Sequence, residues 1–225
     1  MKVRSVRSLR PVFVTIAVLA ASLGATVARA DTIFSDFSTR PGALFDCCSA
    51  YNDAGASYFG APVVLADAFV ASGDFTLTQI DLALLDLGRV DSSVIQLAGD
   101  NAGTPGTVLE EWDVTNVQRS VTCCALEILV SNTPVSFTSG SQYWVILGPG
   151  SADAETWWNL NDIGATGLIA GSNGGAWREF NGRELATFDV LGNPSSESSA
   201  VPEPSTLLLV GSGLALAGHR RKRSQ

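Results

Sequence analysis

Histidine, methionine and lysine are almost missing from this 225-residue chain: His219 is the one histidine, Met1 the one methionine, and Lys2 and Lys222 are the two lysines. Residues 31–200 contain none of the three. Without imidazole, that stretch holds no Ser-His-Asp or Cys-His catalytic set, no histidine acid-base catalyst and no imidazole zinc ligand. Most hydrolase and metalloenzyme classes are excluded on that ground, and carboxylate chemistry is what remains.

Positive charge is equally scarce in the middle of the chain. Of fourteen Lys and Arg, only Arg40, Arg89, Arg119, Arg178 and Arg183 lie between residues 31 and 200, against twenty-one of the twenty-two acids. That stretch therefore carries a formal charge of −16, hidden in the whole-chain value of −8. A surface of this sign releases no counterions from a polyanion, which excludes nucleic acid as a partner.

Long apolar runs occur only near the two ends. Lys2, Arg4, Arg7 and Arg10 precede the uncharged stretch Val12 to Val27, and Ala28-Arg29-Ala30 follows with small residues at both cleavage-site positions. The pattern predicts a signal peptide over residues 1–30, removed by signal peptidase after Ala30 to leave Asp31 first. At the other end a Ser-rich spacer (193–200) leads into Val201-Pro202-Glu203-Pro204, an apolar run over 205–218, and a basic stop at Arg220, Arg221, Lys222 and Arg223. Two prolines hold Pro202-Glu203-Pro204 extended. The run 205–218 is expected to be a transmembrane helix of about 21 Å, short of a hydrocarbon core of roughly 30 Å, so thinning or snorkelling arginines must help it span. The basic stop sets its end in the cytoplasm.

The cysteines form two adjacent pairs, Cys47-Cys48 and Cys123-Cys124. Export predicts oxidation, and four cysteines allow three pairings. A cross-link between the two segments is expected; it closes a loop of roughly 75 residues and stabilises by about 4 kcal/mol on the loop-entropy account. A thiol metal site is disfavoured, because directly adjacent cysteines lack the spacer of zinc knuckles.

Residues 31–192 read as one domain. Short apolar or alternating runs recur at Val63–Val70, Phe75–Leu85, Ser93–Leu97, Thr107–Val114, Leu126–Val130, Val135–Phe137, Gln142–Leu147, Thr156–Leu160 and Leu185–Val190, separated by turn formers such as Ser139-Gly140 and Gly171-Ser172-Asn173-Gly174-Gly175. The expected fold is all-β, an antiparallel β-sandwich of jelly-roll type. Within Phe75–Leu84 the apolar positions are 75 and 77, then 80, 82 and 84. The alternation slips by one residue near Gln79, which predicts a β-bulge.

Aromatics offer candidate ligand contacts. Trp157, Trp158 and Trp177 could stack on sugar faces, with Asn159, Asn161, Asp162 and Glu179 as hydrogen-bonding neighbours. Adjacent residues of a strand face opposite ways, however, so one of Trp157 and Trp158 is expected inside, and core packing is the stronger expectation. Asp100-Asn101, Asp153-Ala154-Glu155 and Asn161-Asp162 offer hard oxygen ligands, but no spacing matches a twelve-residue calcium loop. No cofactor, metal or catalytic residue is expected.

Two resemblances add to this. Asp67-Ala68-Phe69-Val70, Phe75 to Leu84, Asp100 to Gly106, Ser139 to Val145 and Ala186 to Val190 resemble, over roughly residues 60 to 191, the exported bacterial choice-of-anchor β-sandwich domains, a family that implies no molecular activity. Val201-Pro202-Glu203-Pro204-Ser205-Thr206, the apolar run and Arg220–Arg223 resemble the PEP-CTERM sorting signal of Gram-negative bacteria. That resemblance implies export across the inner membrane, membrane anchoring, processing by an exosortase-type membrane enzyme, and a final place at the cell surface or outside the cell, alongside exopolysaccharide. The expected protein is a non-enzymatic envelope or matrix component; the alternative is a carbohydrate-binding module for extracellular polysaccharide.

Overall fold

The computed structural model describes residues 30–40, 44–46, 49–87, 90–117 and 125–195. Its elements are β1 (Asp31–Ser35), β2 (Ala50–Asn52), α1 (Ala56–Phe59), β3 (Val63–Val70), β4 (Phe75–Asp86), β5 (Ser93–Asn101), β6 (Thr104–Val114), β7 (Ala125–Val130), β8 (Ser136–Phe137), β9 (Gln142–Pro149), β10 (Thr156–Asn159), β11 (Thr166–Asn173), β12 (Arg178–Glu184) and β13 (Phe188–Pro194). The expected all-β class holds, and the last strand runs two residues past position 192. The leader including Ala28, the cysteines Cys47, Cys48, Cys123 and Cys124, and residues 196–225 with Pro202, Glu203, Pro204 and Arg220–Arg223 lie outside the described residues. Among the described residues no helix is long and apolar enough to cross a membrane.

Two antiparallel sheets stack on a shared core. One runs β1-β13-β4-β10-β2, with β7 and β8 also paired to β4; the other runs β12-β11-β3-β9-β5-β6. Alternation explains the layering. Ile80, Leu82 and Leu84 of β4 and Phe188 and Val190 of β13 meet Ile95 and Leu97 of β5 and Val145 and Leu147 of β9, all essentially without solvent contact. An aromatic knot fills one part of this space: the Phe69 ring lies 5.8 Å from Tyr143 and 5.9 Å from both Phe137 and Phe188.

The slip in β4 is real. Leu191 of β13 faces Gln79, and the next residue, Gly192, faces Leu77, so Thr78 is the extra residue of a bulge. The kink returns Ile80, Leu82 and Leu84 to the core face. Gly192 sits against that kink: a Cβ there would lie 2.6 Å from the Thr76 carbonyl oxygen and 2.7 Å from the Ile33 side chain. Gly192→Ala should therefore cost about 1–3 kcal/mol by overpacking, read as a lower urea midpoint at unchanged m-value.

Where the chain crosses from one sheet to the other, between β12 and β13, the Leu185 N–H finds the Ala165 carbonyl at 3.0 Å and the Thr187 N–H the Asn159 carbonyl at 2.6 Å, and buried carboxylates take the N–H groups that alternate with them. Asp67 of β3 accepts the Ala186 N–H at 2.6 Å, and Asp36, just after β1, accepts the Phe188 N–H at 2.7 Å. Asp53 does the same for the Thr156 N–H at 2.6 Å. The other carboxyl oxygens of Asp36 and Asp53 are buried with no partner among the described residues. Burial dominates their titration. It pushes Asp36 from 3.8 up to about 8, against the opposing Phe188 N–H, and Asp53 up to about 7, against the Thr156 N–H. Asp67 is also held well above the usual range, first by burial, with Ala186 opposing and the Asp36 charge adding.

Candidate functional site

The face of the six-stranded sheet turned away from the core is built from the residues between the core-facing ones. Cross-strand partners share a face. One row therefore runs Glu179, Ala170, Ala66, Ile146, Gln96, Glu111 across all six strands. The row beside it includes Ala68, Trp144, Ala98 and Val108. Small side chains in the middle of both rows let Trp144 lie down fully buried on the outer side, where it joins Ala66, Ala98, Ile146 and Ala170 in a second apolar cluster.

Trp144 is pinned in place by one carboxylate. Its indole N–H donates to Asp100 at 2.8 Å, the Gln142 amide donates to the same oxygen at 2.7 Å, and the Gly103 N–H reaches the carboxylate at 3.2 Å. Burial pushes the Asp100 carboxyl upward, but the bonds from Trp144, Gly103 and Gln142 outweigh it and hold the group below its usual value. Glu179 of β12 comes within 3.4 Å of where a Cβ on Gly103 would sit. The turn between β5 and β6 thus comes close to β12, a strand at the other edge of the sheet.

Two of the clefts that the described residues form along this sheet bear on function. The first, of about 490 Å³, lies on the β11–β12 hairpin and is lined by Val63, Gly171, Ser172, Asn173, Gly175, Ala176, Trp177, Arg178 and Phe180. The second, of about 380 Å³, lies on the outer face between Pro62, Val64, Val94, Gln96, Glu111, Ile146, Gly148 and Pro149. Val63 lines the first, and Val64, which points to the other face of β3, lines the second. Gln96 donates to Glu111 at 2.6 Å beside the second cleft. The first cleft is lined by no carboxylate and the second by Glu111 alone.

The three candidate tryptophans are not brought together. Trp158 is a core residue, fully buried, with its ring 5.7 Å from Phe188 and its N–H on the Thr187 carbonyl at 2.9 Å. Trp157 is half-buried on the opposite side of β10. Trp177 alone reaches a cleft, with its inner side packed on the second apolar cluster. The polar neighbours expected beside them are largely engaged elsewhere: Asn159 donates to the Asp46 carbonyl at 2.7 Å, Asn161 ties the Leu185 and Ala165 backbone, and Asp162 pairs with Arg40 at 2.9 Å. Among the described residues no group of three or more His, Cys, Asp or Glu is placed to hold a metal ion.

Sequence reading missed Asn173, Arg178 and Phe180. Arg178-Glu179-Phe180-Asn181-Gly182-Arg183-Glu184 shows no alternation, because six of its seven residues are exposed on an edge strand. The one available signal was a phenylalanine inside an otherwise polar segment.

Compared with known protein families, residues 200–223 match the PEP-CTERM protein-sorting motif. The match spans Pro202-Glu203-Pro204, the apolar run and Arg220–Arg223, and such a motif marks a protein exported and sorted by an exosortase-type membrane enzyme. No curated protein and no solved structure matches the chain.

Proposed function

We propose that this chain is a non-enzymatic surface component, carried out of the cell by its leader, sorted by its C-terminal signal and associated with extracellular polysaccharide. The observation that carries the reading is the sorting motif at residues 200–223, six residues beyond the end of β13 at Pro194. The folded part is a passenger with no histidine, and these two clefts among the described residues present no pair of carboxylates. Acid-base hydrolysis of a glycosidic bond needs two such groups about 5 to 9 Å apart across the substrate. A second reading, that of a carbohydrate-binding module, is favoured by the aromatic rings Trp177 and Phe180 at the first cleft.

Replacing Pro202, Glu203 and Pro204 together by alanine separates sorting from folding. The wild-type chain should lose its C-terminal segment by mass analysis and fractionate with the cell surface; the variant should stay uncut in the inner membrane. Equal processing and equal surface delivery of the two would overturn the proposal.

A further inference from the structure

The geometry points to the β11–β12 cleft as a subsite for a neutral, extended polysaccharide, gripped by Trp177 and Phe180. This rests on the carbohydrate-binding reading and gives it a site and a ligand class. Trp177 is packed from behind on the Ala66–Trp144 cluster while lining the cleft in front, so its ring is held ready and loses little freedom when a ligand arrives. Phe180 is 44 % exposed, a large apolar ring left in water on an edge strand. Gly171 leaves the floor bare, its nearest side-chain neighbour being the Phe180 ring at 3.9 Å from where a Cβ would sit.

Polar groups at the same cleft are unused. The Arg178 guanidinium and the Asn173 amide make no hydrogen bond among the described residues, and the Ser172 hydroxyl, which donates to the Gly175 carbonyl at 2.8 Å, still has lone pairs to offer. Apolar ring faces bordered by neutral and cationic donors match the C–H face and equatorial hydroxyls of a hexopyranose.

Charge then selects among polysaccharides. Residues 31–200 carry −16, which opposes a polyuronate or sulfated chain, so one arginine serves as a donor to hydroxyls rather than as a counterion. The cleft's volume of about 490 Å³ suits a ligand larger than one sugar ring, so a stretch of polymer fills it better than a monosaccharide.

The test is affinity electrophoresis of the full chain in detergent, through gels containing galactomannan, dextran or hydroxyethyl cellulose, with polygalacturonate as the anionic comparison. At least one neutral polymer should retard the wild type. Trp177→Ala and the exposed-site variant Phe180→Ala should each weaken that retardation about tenfold, at a melting temperature close to wild type for Phe180→Ala. Free hexose should compete much less well than the polymer. Retardation by no polymer at all would remove the carbohydrate reading and this inference together. Retardation by polygalacturonate alone, or undiminished retardation of both variants, would overturn this inference and leave the broader reading standing.

Discussion

Raising the pH from 5 to 8 should lower the melting temperature of this protein by roughly 10 °C, an unusual direction for a domain whose exposed acids are already ionised at pH 5. The cause is a set of buried carboxyls: Asp36 on the Phe188 N–H at the crossover, Asp53 on the Thr156 N–H of β10, and Asp189 within β13. Asp36 is titrated from 3.8 to about 8 and Asp53 to about 7, both chiefly by burial, and Asp189 is raised to about 6 by burial, against the Ser35 hydroxyl bond and with the Asp81 charge adding. In each case the folded state keeps a proton that the unfolded chain has released. Their stabilisation is therefore complete below about pH 4 and is lost as pH climbs through the folded values, levelling off above about pH 8. For Asp36 alone the rise from 3.8 to about 8 sets an upper bound of about 6 kcal/mol, and dielectric relaxation reduces it.

Asp36→Asn isolates the effect. The amide keeps an oxygen for the Phe188 N–H but cannot ionise, so at pH 5 the variant should melt within a few degrees of wild type and at pH 8 it should melt higher. Asp53 and Asp67 keep their own contribution, so the variant's pH slope should shrink without vanishing. A wild-type melting temperature that is flat or rising between pH 5 and 8, or an unchanged slope in the variant, would show that these carboxyls are not the protonated groups of the folded state.

The sequence made the central strands legible and the edges illegible for one physical reason. β3, β4 and β9 bury side chains on at least one face, so their apolar residues repeat and their ends stand out; Val63–Val70 is read to the residue. Even the bulge at Thr78 leaves a trace, because the core face must stay apolar on both sides of it. β12 packs against β11 alone and is exposed on both faces, while Gly167 and Gly171 interrupt β11, so neither carries a periodic signal. Since the first cleft is formed by that hairpin, the part of the site most open to a ligand is the part that hydrophobic patterning does not mark. Asp67 carries no such signal for a different reason: a charged residue in an apolar run, it is buried to take the Ala186 N–H, a contact that only the crossover of the chain creates.

Trp158→Ala should cost about 3–5 kcal/mol, the largest loss expected from any of the tryptophans singled out by sequence. Trp157-Trp158 is a single dipeptide on a strand, and the pleat sends the two rings to opposite sides. Trp158 pairs with Leu84 of β4, whose side chain lies in the core, so its indole enters the space between the sheets beside Phe188. Truncation leaves a cavity there. It also removes the donor 2.9 Å from the Thr187 carbonyl, leaving that oxygen only the long 3.4 Å bond from the Ala83 N–H at the crossover. Trp157→Ala removes a half-buried ring from the other side of β10 and should cost clearly less. Urea unfolding of the two variants side by side decides the matter. Equal losses, or the larger loss at Trp157, would mean that the register of β10 against β4 is displaced by one residue, which would turn every side chain of that strand to the wrong face.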